Sequence, residues 1–425
     1  MRVLVGVVPV AGHVGPVSAV VAELVRRGHR VRVHTGALFR HRFTGLGAGV
    51  VPWTAAQDFD ADDLAATFPE AAGSQRREVM TLIKRGFLGT APGQVRDLQD
   101  ALALESADLL VSDSMCLGPG LVAELSGLPW ATVNVLPFNP SLDGPFTTVR
   151  VPHMSGSVGR LRDAAVSVGY RVLTSPFRRI YQRVRRDVGL PYDHRPYGAG
   201  FLSEQLVVAT GCPGLEPRGA GIPEWVQHVG HLGLVGAEFS PSPPLRPGRT
   251  LVLVSQGTID TDPSELLQPA LRGLADLDLD VLATTGHIGR DHLGVPVPAN
   301  AQIRDVVDYT VVLPSTSVFV TNGGWGGVLS ALAAGVPVVV APGRAADKPE
   351  IAARVAAAGV GVDLRRRRPT AEAVAAAVRT VLADPGFARR SAALAEELSA
   401  LGGVARAGSL LEGLAGSPTV RGSRS

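Results

Sequence analysis

The opening of the chain confines it to one kind of architecture. Arg2 to Val8 is a continuous apolar run (RVLVGVV), followed by the loop AGHVGP. Val17, Val20, Val21, Leu24 and Val25 then recur at the helical i, i+3, i+4, i+7, i+8 spacing, Gly28 closes the helix, and Arg30 to His34 resumes as a strand. A strand that is apolar along its whole length is buried on both faces, so this is a parallel βαβ unit inside a helix-covered sheet. The same order returns at Asp108 to Val133, where LLVS, a loop, the helical LVAELSG and PWATV follow one another. Further apolar strands are expected at Leu251–Ser255, Leu279–Thr284, Ser317–Thr321 and Val336–Ala341, separated by helix-compatible sequence. The fold predicted is α/β, with two Rossmann-like halves that are each a doubly wound parallel sheet. Ligands of such sheets bind outside the carboxyl ends of the strands, so the loops starting at Pro9, Ser112, Ser255 and Asn322 are expected to face a shared cleft.

Residues 1–212 form the first domain in this reading and 250–385 the second. Between them 213–249 is Gly/Pro-rich without periodicity and reads as an interdomain linker, while the Ser/Gly/Arg-rich 416–425 reads as a disordered tail. The 425 residues leave room for two or three domains, which makes a large enzyme feasible. A formal charge of +3 sets up no field that favours nucleic acid or membrane. Cys116 and Cys212 are too few for a disulfide framework or a zinc knuckle, and fit the reducing cytoplasm as buried thiols. The first apolar run is needed as a strand, which argues against a signal peptide, and no run of 18 apolar residues is present to span a membrane. Arg160 to Leu190 carries eight arginines and two aspartates around an apolar stripe; a domain helix with a basic solvent face, broken at Pro176, is preferred to a membrane-surface helix.

Common motifs are absent or weak. Gly118-Pro-Gly120-Leu-Val-Ala123 matches a dinucleotide pattern, but with proline inside the turn, off the first strand and with no acidic partner for a ribose. Asp260-Thr-Asp262 resembles a metal-binding pair, yet the same spacing recurs at Asp58/Asp60 and Asp276/Asp278. No Walker loop, G-x-S-x-G elbow or H-E-x-x-H helix occurs. His228/His231 and His287/His292 have no Cys or carboxylate company and read as surface histidines.

His13 is placed otherwise, in the first βα loop between Gly12 and Gly15, where an imidazole titrates near neutrality and can accept a proton from a hydroxyl. Asp113 ends another strand of the same half, so its carboxylate can hold the far ring nitrogen and fix the tautomer. In the second half, Thr321-Asn-Gly-Gly-Trp-Gly-Gly327 ends a strand and opens a helix whose apolar positions are Trp325, Val328, Leu329 and Leu332. Bare backbone N–H groups at a helix N-terminus bind phosphate or pyrophosphate; a glycine turn serving helix–sheet packing alone is the alternative. Ser255-Gln-Gly-Thr258 is a second polar loop that closes over the same anion in this reading.

These motifs, in this order over almost the whole chain, resemble the GT-B fold glycosyltransferases of the UDP-glycosyltransferase superfamily, in particular the bacterial macrolide and antibiotic branch. The start RVLVGVVPVAGHVGPVSAVVAELVRRGHRVRV looks like their acceptor domain, VLVSQGT like their phosphate-reaching loop, and VFVTNGGWGGVLSALAAGVPVVVAPGRAADKPEIAARVAAAGVGVDL like their donor signature. LADPGFARRSAALAEEL resembles their closing helices, so 386–415 are expected to return towards the first domain. The resemblance implies His13 as catalytic base with Asp113 as its partner. It implies Gly257, Thr258, Asn322, Gly323, Gly324, Gly326, Gly327 and Val328 around the donor phosphates, Val306 and Val307 at the nucleotide base, and Asp347 and Lys348 on the sugar, with Glu350 as a helper. Three positions depart from the family: Asn322 stands where a histidine is usual, Val306 where a stacking aromatic is common, and Lys348 where a glutamine follows the aspartate. Trp53, Phe87, Phe138 and Phe146 suit a hydrophobic acceptor such as a polyketide or aromatic aglycone.

The activity implied is transfer of a sugar, with inversion, from a UDP- or dTDP-sugar to an acceptor hydroxyl. No cofactor or metal is expected, the nucleotide sugar being a co-substrate. The expected partners are this donor and a small hydrophobic acceptor, without nucleic acid, in a cytoplasmic monomer or homodimer. A nucleotide-sugar epimerase of the same fold and a non-catalytic nucleotide-sugar binder are the competing readings.

Overall fold

The computed structural model describes residues 1–138, 156–195, 197–217, 221–233, 246, 248–257, 262–286, 289–343, 345 and 347–417. The chain divides into two compact units. The first comprises Met1–Thr210, Gly219–Gly236 and the chain from Gly402 onward; the second comprises Gly211–Arg218 and Ala237–Leu401.

The first unit holds a seven-stranded sheet built from β1 (Arg2–Gly6), β2 (Arg30–Thr35), β3 (Gly49–Pro52), β4 (Leu109–Asp113), β5 (Trp130–Asn134), β6 (Val207–Thr210) and β7 (Val226–Gly230). Its order is β3-β2-β1-β4-β5-β6-β7, and every pairing is parallel. Val3, Leu4, Val5, Leu109, Leu110 and Val111 are fully buried, as the unbroken apolar runs require. The second unit holds β8 (Leu251–Ser255), β9 (Asp280–Thr284), β10 (Ala301–Arg304), β11 (Val318–Thr321), β12 (Val338–Val340) and β13 (Gly361–Asp363). These are also all parallel, in the order β10-β9-β8-β11-β12-β13. The strand order reverses between β1 and β4 in one sheet and between β8 and β11 in the other. A ligand crevice opens at such a reversal, because the two flanking loops leave in opposite directions. His13 and Asp113 flank the first reversal; the Gly257 and Asn322–Gly327 loops flank the second.

Several elements differ from the sequence reading. The stretch taken as a linker supplies β7, whose short VQHVG is hidden between Gly/Pro-rich flanks. The arginine-rich helix runs unbroken from Gly156 to Asp187 through Pro176. Arg185 on that helix is buried rather than solvent-facing, donating to both carboxylate oxygens of Glu124 at 2.8 Å. Of the closing helices, Pro385–Ala400 stays in the second unit, where Leu394 and Leu398 enter the core. Only Gly403–Gly416 joins the first.

That last helix is bound to its unit by apolar and ionic contacts. Ala407 and Leu411 are fully buried in the first core, and Arg27 donates to Glu412 at 2.7 Å. Gly408 lets the guanidinium approach, since a Cβ there would lie 2.8 Å from Arg27 Cζ. Leu411→Ala is therefore expected to destabilise the first unit by about 2–5 kcal/mol, seen as a lower midpoint for that unit's transition in thermal or denaturant unfolding.

Candidate active site

In the first unit the loop expected around His13 is helical. The helix Ala11–Arg26 starts directly after Val10, and His13 lies in its first turn, its N–H donating to the Val10 carbonyl at 2.9 Å. Gly12, Gly15 and Pro16 read as chain breakers in the sequence, but here Pro16 is taken up inside the helix. His13 is 8% exposed and Asp113, the last residue of β4, is fully buried. His13 Nδ1 and Asp113 Oδ1 are 2.6 Å apart. The carboxylate also accepts N–H bonds from Met115 on Oδ1 (2.9 Å) and from Val8 on Oδ2 (3.0 Å). A carboxylate held from three sides takes the Nδ1–H tautomer of the ring, which makes Nε2 the nitrogen able to take up a proton. The cation so formed would sit beside a fixed negative charge.

The wall around this pair is apolar. Phe87, on a π-helical stretch Leu82–Gly89, has its ring centroid 6.1 Å from that of His13. It packs in a cluster with Val8, Val10, Trp53, Phe59 and Phe68. Trp53 Nε1 is buried there without a hydrogen-bond partner among the described residues. Burial and the Asp113 charge push the Cys116 thiol well up, so it stays protonated.

Sequence reasoning missed the residues that hold this wall. Gln94 Oε1 accepts from the Gly118 N–H (2.8 Å) and the Cys116 thiol (3.4 Å), fixing the loop after Asp113. Asp97 accepts from the backbone N–H groups of Thr54, Ala55 and Ala56 at 2.7–3.0 Å and pairs with buried His34 at 3.3 Å. Burial opposes the charge on Asp97, yet these bonds hold it well below the usual carboxylate range. The available signal was two polar residues, i and i+3, among the apolar positions Ala91, Val95 and Leu98 of one helix. Phe138 is 1% exposed and packs edge-on against Trp225, which makes it a core residue; Phe146 lies outside the described residues.

In the second unit Gly257 follows β8 with φ +84°, and Thr258 lies outside the described residues. Asn322 follows β11, is 3% exposed, and neither its Oδ1 nor its Nδ2 has a hydrogen-bond partner among the described residues. A Cβ on Gly257 would lie 3.3 Å from Asn322 Oδ1 and 3.5 Å from Nδ2, so the amide faces the β8 loop. Gly323 turns with φ +87°, Gly324 caps, and the helix Trp325–Ala333 begins. Trp325 is buried in the second core and covers Gly211, whose Cβ would meet the indole at 2.9 Å. The Val328 N–H donates to the Gly324 carbonyl at 3.0 Å, so it is not available to a phosphate. Gly326 and Gly327, in the first turn, have N–H groups without intrahelical acceptors.

Val306 is half-buried, whereas the Val307 side chain is 2% exposed within the core. Asp347 occupies the N-cap position of the helix Lys348–Ala357, and Lys348 is 6% exposed. Glu350 is 3.6 Å from Arg354, itself buried and 2.6 Å from Glu216. A chain of hydroxyls, Tyr309 to Ser255 (3.0 Å) and Thr284 to Ser255 (2.9 Å), braces the ends of β8 and β9. The second unit thus presents a glycine turn that opens a helix, and the first a buried histidine–carboxylate pair in an apolar surround.

Residues 268–402 match the family model "Erythromycin biosynthesis protein CIII-like, C-terminal domain". The chain is 37% identical to 4'-demethylrebeccamycin synthase of Lentzea aerocolonigenes, over 97% of this chain and 99% of that protein. It is 30% identical to UDP-glucosyltransferase B1 of Starmerella bombicola, over 92% and 93%. Among solved structures, the glycotransferase of kitacinnamycin shares the fold with a TM-score of 0.75 at 24% identity, covering 97% of this chain and 98% of that one. No helix among the described residues is long and apolar enough to cross a membrane. The chain belongs to the GT-B glycosyltransferases of natural-product biosynthesis.

Proposed function

We infer that the chain transfers a sugar, with inversion and without a metal ion, from a UDP- or dTDP-sugar to a hydroxyl of a small hydrophobic natural product. The observation that carries this reading is the buried His13–Asp113 pair at 2.6 Å. His13 Nε2 takes the proton of the acceptor hydroxyl as its oxygen bonds to the anomeric carbon. The bond from that carbon to the diphosphate oxygen breaks, its electron pair leaving with the nucleoside diphosphate. Attack from the side opposite the leaving group inverts the centre in one step. Asp113 stabilises the imidazolium, while the Asn322 amide and the N–H groups of Gly326 and Gly327 meet the growing charge on the diphosphate. Asp347 is assigned to the sugar end, with Lys348 next to it at the start of the same helix. Trp53 and Phe87 are assigned to the acceptor, with the unpartnered Trp53 Nε1 offering a donor to a polar group on an otherwise apolar aglycone. The name of the Starmerella relative favours uridine as the base.

Mass spectrometry across a panel of UDP- and dTDP-sugars with hydroxylated polyketide and aromatic acceptors is the direct test, with the anomeric configuration of the product read by NMR. The expected result is an acceptor-plus-hexose product of inverted configuration, formed at an unchanged rate in EDTA. Retention of configuration would remove the single-displacement step, and loss of activity in EDTA restored by a divalent ion would remove the metal-free departure. Nucleotide binding without transfer to any acceptor would leave a binding protein instead.

A further inference from the structure

We propose that Lys348 is the counter-charge of the leaving diphosphate, supplying from a neighbouring helix the positive charge that the glycine loop itself lacks. The proposal rests on reading Asn322–Gly327 as the donor phosphate site. Asn322 is buried with both amide atoms unpartnered among the described residues, which marks a place where a polar ligand completes the hydrogen bonding. Its amide is neutral at every pH, and no residue from Thr321 to Gly327 carries charge.

Lys348 opens the ten-residue helix Lys348–Ala357 directly against this loop. A Cβ on Gly323 would lie 3.6 Å from the Lys348 carbonyl oxygen and 3.7 Å from its Cβ. The side chain therefore begins beside the loop, and a four-carbon stem is long enough to span from there to an anion at the helix N-terminus. Lysine is among the residues least often buried, yet Lys348 is 6% exposed. Composition adds weight, because Lys84 and Lys348 are the only lysines among 41 basic residues. In a chain that uses arginine almost everywhere else, the lysine here stands out as a compact point charge on a flexible stem. Since the diphosphate gains charge as the anomeric bond breaks, the ammonium acts more strongly on the transition state than on bound donor.

The test measures kcat, together with calorimetric affinity for UDP and for uridine, in K348Q, K348R and the double variant N322H/K348Q. K348Q is expected to lower kcat about 30- to 100-fold and UDP affinity about 10-fold, with uridine binding and thermal midpoint unchanged. K348R should retain the larger part of UDP affinity. N322H/K348Q should recover UDP binding below about pH 6.5, where the new imidazole is charged, and lose it above. K348Q matching wild type in UDP affinity and kcat overturns the proposal, as does an equal loss of UDP and uridine, which indicates a structural role. If wild type binds neither UDP nor dTDP, the donor reading falls and takes this proposal with it; wild-type binding with an indifferent K348Q removes this proposal alone.

Discussion

His13→Ala is expected to lower turnover by about 10²- to 10⁴-fold while leaving the affinity for UDP or dTDP as in wild type. The size of the loss follows from what the ring does: Nδ1 is bonded to a fully buried carboxylate at 2.6 Å, so Nε2 is oriented before substrate arrives. Asp113→Asn should cost a comparable factor for a different reason. Its amide can still accept the Val8 or Met115 N–H, but if it turns its NH₂ to His13 Nδ1 it selects the tautomer in which Nε2 already carries a proton. Steady-state kinetics with a matched thermal midpoint check both. If His13→Ala retained most of its turnover, a different base would have to be sought, and the Asp113 contact would be structural.

The two halves were legible because their central strands are apolar from end to end, and a strand buried on both faces leaves no alternation to confuse with a helix. The edges were not. β3 (GVVP), β10 (AQIR) and β13 (GVD) are three or four residues long and each partly exposed. Such segments are specified by the neighbour they pair with rather than by their own composition. β7 was masked by the glycines and prolines around it. At the site, His13, Asp113 and the glycine loop could be found because a doubly wound sheet puts chemistry at its strand ends. Gln94 and Asp97 could not, since their roles arise from backbone groups more than twenty residues away. Val328, which the resemblance puts at the donor phosphates, has its N–H already bonded to the Gly324 carbonyl inside the helix.

Gly324→Leu is expected to weaken UDP or dTDP binding by about 100-fold, close to 3 kcal/mol, with little effect on folding. The separation of these effects is what makes the site testable. Glycines are often fixed by backbone strain or crowding, and Gly323 is such a case: φ is +87°, and a Cβ would press to 3.0 Å against Val340. Neither condition holds one residue later. Gly324 has φ −63° and ψ 128°, open to any residue, and no atom of the described residues lies within 4 Å of a Cβ built there. Replacing the glycine at this N-cap removes at most about 1 kcal/mol of helix stability, and the Cβ that any larger residue adds meets no atom of the described residues. A bulky side chain at the mouth of the helix N-terminus does meet whatever anion the Gly326 and Gly327 N–H groups hold. Gly326→Ala, also open on all sides, should give a smaller loss in the same direction. Calorimetry with UDP and thermal unfolding of the same samples measure the two effects independently. Unaltered nucleotide affinity in Gly324→Leu would show that the loop leaves clearance for no ligand, and the donor site would then have to lie elsewhere in the second unit.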